Sequence, residues 1–175
     1  MLPQNGTNVV TDAYNGWYSF REPGSMAAHT YAQKNGETET VAAEYVDGYV
    51  IGVDENNTLF TMKMGDWGRM ELGKVKLPGM LRYFTFQALD MAFDYTTNTL
   101  YCITDEDGSA KRPAHLITID YRTGEIADVG VVGFEKGQQG VTLACDNDGV
   151  LYTINYATGD LYTISKTAEK INNVN

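Results

Sequence analysis

The sequence predicts an all-β protein built as a row of antiparallel meanders, and three observations predict it. Segments rich in Val, Ile, Tyr, Thr and Leu end, after roughly four to nine residues, at Gly, Asn, Asp or Pro, where a helix would need to continue. These segments fall into groups of four joined by tight turns. The groups recur along the chain at a near-constant spacing, the mark of a repeat architecture.

Residues 1–40 read as a partial group. Residues 17–20 (WYSF) and 29–31 (HTY) have strand composition, while the Pro-Gly pair in 21–24 and the Asn-Gly pair in 34–37 mark turns. From Val41 the pattern sharpens. Residues 41–46 (VAAEYV), 49–54 (YVIGVD), 58–64 (TLFTMKM) and 69–77 (RMELGKVKL) are divided by Asp47-Gly48, by 55–57 (ENN) and by 65–68 (GDWG). Residues 78–88 (PGMLRYFTFQA) form a connector carrying Tyr83, Phe84 and Phe86. The next group, within 89–132, has strands LDMAFD, TLYCIT, HLITIDY and EIADVGVV. A polar insertion at 105–113 (DEDGSAKRP) separates its second and third strands and is expected to project as a loop. The last group, 140–175, has strands GVTLACD, VLYTIN, DLYTIS and EKINNV, with turns at 147–149, 156–159 and 166–168.

Two sets of landmarks measure the period. Ala43, Ala92 and Ala144 recur at intervals of 49 and 52 residues, and Tyr49, Tyr101 and Tyr152 at 52 and 51. A period near fifty with four antiparallel strands is that of a propeller blade and lies outside the range of helical and leucine-rich repeats. The expected fold is therefore a β-propeller-like array, a single domain over 1–175 with units at about 1–40 (partial), 41–77, 89–132 and 140–175. Three and a half units fall short of the four to eight blades of a closed ring. Three completions are open: a homo-oligomer that closes the ring, remaining blades in a longer parent chain, or a compact four-bladed closure using the N-terminal segment.

The runs MAFDYTTNTLYCIT, HLITIDYRTGE and LACDNDGVLYTINYATGDLYTIS resemble the blades of bacterial β-propeller proteins of the YVTN and quinoprotein-like type, especially those in large exported proteins of gut bacteria. The resemblance covers about residues 41–175. It implies an exported or cell-surface module, and it leaves function open because this fold carries binding scaffolds, lyases, hydrolases and dehydrogenases alike. The tryptophan docking motifs expected of a quinone-binding propeller are missing, so no cofactor is implied.

Composition narrows the partners. A formal charge of -10 and a pI near 4.5 argue against a nucleic acid or an anionic membrane, both of which repel such a chain. No run of apolar residues is long enough to span a bilayer as a helix, and the first residues carry no export-signal pattern. If the chain is a piece of a longer exported protein, that signal lies elsewhere. Cys102 and Cys145 belong to no C-x-x-C pair; both fall within expected strands and read as small buried apolar residues, with a bridge between them as the lesser alternative.

Candidate chemistry is sparse. Asp105 to Gly108 and Asp146 to Gly149 resemble the start of a calcium loop, but glycine arrives at the fourth position instead of the sixth, and turn chemistry explains the acids. No metal is expected. Asp90, Asp94, Asp120 and Asp146 sit where strands of a blade can aim acids at a central channel, the arrangement a glycoside hydrolase or lyase needs. Asp94 and Asp146 occupy equivalent places in two units, which favours a turn-forming role. His29 and His115 are far apart in sequence, without zinc spacing or a triad setting. Tyr49, Tyr101, Tyr152 and Tyr162 lie in strands and pack there; Trp17 and Trp67 adjoin turns and are candidates for a recognition surface. The expectation is a binding module for a protein or glycan, with no catalytic residues and an unidentified binding surface. The alternative is a carbohydrate-active enzyme using Asp90 and Asp120.

Overall fold

The computed structural model describes residues 8–12, 16–20, 29–32, 40–63, 68–75, 87–105, 114–135, 137–167 and 171–174. The expected turns at 21–24 and 34–37, Trp67, most of the connector at 78–88 and most of the insertion at 105–113 lie outside them.

Among the described residues the secondary structure is entirely β. Three strands, β1 (Asn8–Asp12), β2 (Gly16–Phe20) and β3 (His29–Ala32), form an antiparallel meander. The first full unit is β4 (Thr40–Val46), β5 (Tyr49–Asp54), β6 (Thr58–Lys63) and β7 (Arg69–Lys74). The second is β8 (Gln87–Asp94), β9 (Thr99–Asp105), β10 (His115–Ile119) and β11 (Ile126–Val131). The third is β12 (Ala144–Cys145), β13 (Leu151–Ile154), β14 (Leu161–Ile164) and β15 (Ile171–Asn173). In each of the three, strands pair only with their sequence neighbours, all antiparallel, which is the connectivity of a propeller blade.

Local chemistry sets the turns. Asp47 and Gly48 join β4 to β5 with φ of 51° and 87°, the doubly left-handed geometry that matches strand twist in a two-residue hairpin. Asp and Asn end other strands and reach forward: carboxylate or amide oxygens of Asp54, Asp94, Asp120, Asp146 and Asn155 each accept the backbone N–H two residues on. These Asx turns reverse the chain without a glycine at the first position.

The core lies between units. One layer joins Val46, Ile51, Val53 and Leu59 of the first unit to Met91, Phe93, Leu100, Cys102, Ile117 and Ile119 of the second. A second layer joins Ala92, Tyr101, Ile103 and Leu116 to Leu143, Leu151 and Ile164 of the third. Alternate residues of the middle unit thus face opposite neighbours, as strand pleat requires, and each buried Leu or Ile contributes roughly 1.5–3 kcal/mol. First strands β4, β8 and β12 each lie at one edge of their sheet, and β8 contacts both of the others. They form the inner side of the array.

Candidate functional site

The inner edge of a first strand has no lateral partner in its own sheet, and its N–H groups need acceptors. Carboxylates on the first strands supply some of them, both within a strand and across to the adjacent unit. Asp90, on β8, accepts the N–H of Leu143 at 2.8 Å and that of Met91 at 2.9 Å. Glu44, on β4, accepts the N–H of Tyr45 at 2.7 Å and that of Phe93 in the second unit. Burial pushes both acids above the ordinary carboxylate range, and the charge of Asp90 adds to the rise at Glu44.

A second set of ties runs along the end of the array that holds the first-to-second and third-to-fourth strand turns. Tyr121, two residues beyond β10, donates its hydroxyl to Asp47 of the preceding unit at 3.2 Å. Lys166, two residues beyond β14, donates to Asp94 of its preceding unit at 2.5 Å. Asp94 is wholly buried and also accepts from the N–H and hydroxyl of Thr96 and the hydroxyl of Thr97. Burial alone would raise this carboxyl; Lys166 and the threonines more than offset it and hold it well below the usual range. Gly149 closes the site from the third unit. Its φ is +80°, and a Cβ there would lie 2.7 Å from the Thr96 hydroxyl and 3.0 Å from both Asp94 Oδ1 and Lys166 Nζ.

Asp54 is buried in a comparable way. It accepts from the N–H groups of Asn56 and Thr58 and from Arg69 at 2.6 Å, whose guanidinium lies over Phe60. Burial opposes its ionisation, and those donors prevail and lower it.

The acids nominated from sequence are therefore dispersed. Asp120 and Asp146 are exposed turn acids, lowered chiefly by the N–H groups of Arg122 and Val150 respectively. Asp90 lies level with Leu116 across the sheet, so Asp120 stands two strands over and four residues along. That separates their Cα atoms by roughly 17 Å at ordinary strand spacing. Carboxyls in glycosidases sit about 5–9.5 Å apart, and this pair is not brought together.

His115 pairs with Asp128 through Nδ1 at 3.1 Å, while His29 lies on β3. Cys102 is fully buried, which raises its thiol; Cys145 is half-buried, and both are free thiols. Tyr101 packs in the second core layer, and Tyr162 meets Phe134 edge to face at 5.1 Å. Trp17 lies on β2, paired with Thr11 and Ala32. Among the described residues no three His, Cys, Asp or Glu gather as a metal site, and no helix is long and apolar enough to cross a membrane. A shallow cleft of about 230 Å³ opens between the turns of the middle unit, lined by Asn98, Thr99, Thr118, Asp120, Tyr121 and Arg122 among others. Glu44 carries a single signal in the sequence, a lone charge inside a strand without other charged residues.

No protein family profile matches the chain, and no curated protein matches it. Solved structures do. A calcium-binding protein, regucalcin, from Agrobacterium tumefaciens superposes with a TM-score of 0.60 at 10% identity, over 98% of this chain and 57% of that one. Glutaminyl cyclase from Myxococcus xanthus gives 0.59 at 12% identity, over 93% and 67%. A Bacteroides caccae protein of unknown function gives 0.57 at 12% identity, over 96% and 57%. The chain thus spans between about half and two thirds of the length of the structures it matches. At these identities the likeness concerns the fold, and the fold is that of a β-propeller.

Proposed function

We propose that this chain is a non-enzymatic propeller module of an exported or cell-surface bacterial protein, which presents its turns to a protein or glycan ligand. The observation that supports this reading is the employment of the acids. Each of Asp54, Asp90, Asp94, Asp120 and Asp146 accepts backbone or side-chain hydrogen bonds that shape a turn or join two units. Acids engaged in this way are poor proton shuttles, because moving a proton onto them disrupts the fold that positions them. The cleft beside Tyr121 and Arg122 offers amide, hydroxyl and guanidinium groups of the sort that bind sugar hydroxyls.

One observation favours the rival reading of a carbohydrate-active hydrolase or lyase. Glu44 and Asp90, on adjacent inner strands, both titrate above the ordinary range, and the charge of Asp90 acts on Glu44. A raised carboxyl in a channel is what a general acid requires. The purified chain screened against an array of glycans, with hits followed for reducing-end release, separates the two. Binding without turnover supports the module; turnover abolished by Glu44→Gln or Asp90→Asn would replace it with the enzyme.

A further inference from the structure

Each unit presents one face to the unit that follows it, and the first two such faces are covered. In the second unit the cross-strand neighbours Ile103 and Leu116 are 0% and 1% exposed beneath the third unit. The matching neighbours of the third unit, Ile154 and Leu161, are 40% and 37% exposed. Val174 continues this row: its N–H bonds to the carbonyl of Leu161, and it is 48% exposed. A row of three large apolar side chains across neighbouring strands therefore lies open at the place where the second unit buries Ile103 and Leu116.

The polar ties show the same interruption. The acid of the first-to-second strand turn takes a donor from the next unit in both earlier cases, Tyr121 to Asp47 and Lys166 to Asp94. Among the described residues, Asp146, in the corresponding turn of the third unit, accepts only within its own unit, including from the N–H groups of Asp148 and Val150 and from the hydroxyl of Tyr152 at 3.0 Å. Its carboxylate remains exposed at the rim of the open face.

We infer that the outer face of β12–β15, with Asp146 at its rim, is a docking surface for a further four-stranded blade. Continuity with the two existing interfaces defines the occupant's chemistry. Its near face carries an apolar set like the Leu143, Leu151 and Ile164 that the third unit turns toward the second, and two residues past its third strand it carries a hydroxyl or cation that reaches Asp146. The matched propellers extend well beyond the length this chain spans, so the architecture accommodates such a blade.

The test extends the full chain with a second copy of residues 133–174 joined after Val174, so that the added unit follows β15 as the third unit follows β11. Docking predicts that amides of β13 and β14 exchange hydrogen at least tenfold more slowly than in the parent. It also predicts that Ile154→Asp with Leu161→Asp abolishes the protection, and that Lys166→Met in the added copy alone weakens it. In the unextended chain the same double substitution is expected to cut the fluorescence of bound anilinonaphthalene sulfonate several-fold with the thermal midpoint unchanged. Unaltered exchange in the extended chain overturns the inference. So does a parent chain that light scattering shows to be a dimer and that Ile154→Asp with Leu161→Asp makes monomeric, since a second copy would then be the occupant.

Discussion

Replacing Asp94 probes the tie between the second and third units most sharply. Its carboxylate is 0% exposed and gathers four donors, one of them the Lys166 ammonium, which is 27% exposed. Removing one partner of a buried pair costs about 3–5 kcal/mol, because the other charge is left without compensation. Lys166 has partial access to water, so the lower end of that range applies to Asp94→Ala. Asp94→Asn keeps the volume and one acceptor, and its expected cost is about 2–3 kcal/mol. Lys166→Met leaves the wholly buried Asp94 carboxylate with its threonine donors but no countercharge, and is expected to cost about 3 kcal/mol or more. For a chain of this size, 3 kcal/mol lowers the thermal midpoint by roughly 6–12 °C.

The sign of the pH dependence follows from the lowered carboxyl. A group held below its unfolded value stabilises the fold fully above that value, about 3.9, and loses the contribution as pH falls toward its folded value. The gap between parent and Asp94→Asn, measured by urea unfolding, should therefore be constant from pH 7 to about 5 and shrink toward pH 2. A gap within about 0.5 kcal/mol at pH 7, or one that does not change on acidification, refutes the reasoning.

Two more predictions concern the Gly149 contact and the buried acids. Gly149→Ala should destabilise by about 1–3 kcal/mol, since it combines a left-handed φ with a Cβ placed 2.7 Å from the Thr96 hydroxyl; adding Thr96→Ala should restore only part of the loss in urea melts, and full restoration would show that the backbone strain is negligible. Carboxyl carbon NMR during acidification should show Glu44 and Asp90 taking up protons before Asp54 and Asp94; the reverse order would contradict the hydrogen-bond assignments.

Much of the fold was legible because its determinants are local. Strands β4 to β7 and β8 to β11 fall where strand composition and Asp, Asn and Gly turns place them, and the Asp47-Gly48 hairpin has the backbone its dipeptide implies. β12 was not legible in the same way. Residues 140–146 have strand composition, yet the ladder holds only Ala144–Cys145 and a lone bridge between Gly140 and Asn155. The reason is tertiary: the Leu143 N–H turns to Asp90 of the neighbouring unit, and Thr142 Oγ1 takes the N–H of Ile154. β1 escaped notice because NVVTD offers only two adjacent apolar residues after a polar stretch.

The ties between units were hidden for a related cause. They join residues 53, 72 and 74 positions apart, and no local pattern marks both partners. Asp94 and Asp146 were recognisable as equivalent turn acids, but the sequence does not distinguish the one that receives a lysine from the one that does not. That difference depends on what packs beside each unit.

The most direct test of the architecture is a nuclear Overhauser map of the isotope-labelled chain across the first strands. Blades fanned about a common inner edge require contacts from the Leu143 amide to the Asp90 side chain and from the Tyr121 ring to Asp47, with β4 and β8 in separate sheets. Ladder contacts that pair β4 with β8 as neighbours in one continuous sheet would contradict it.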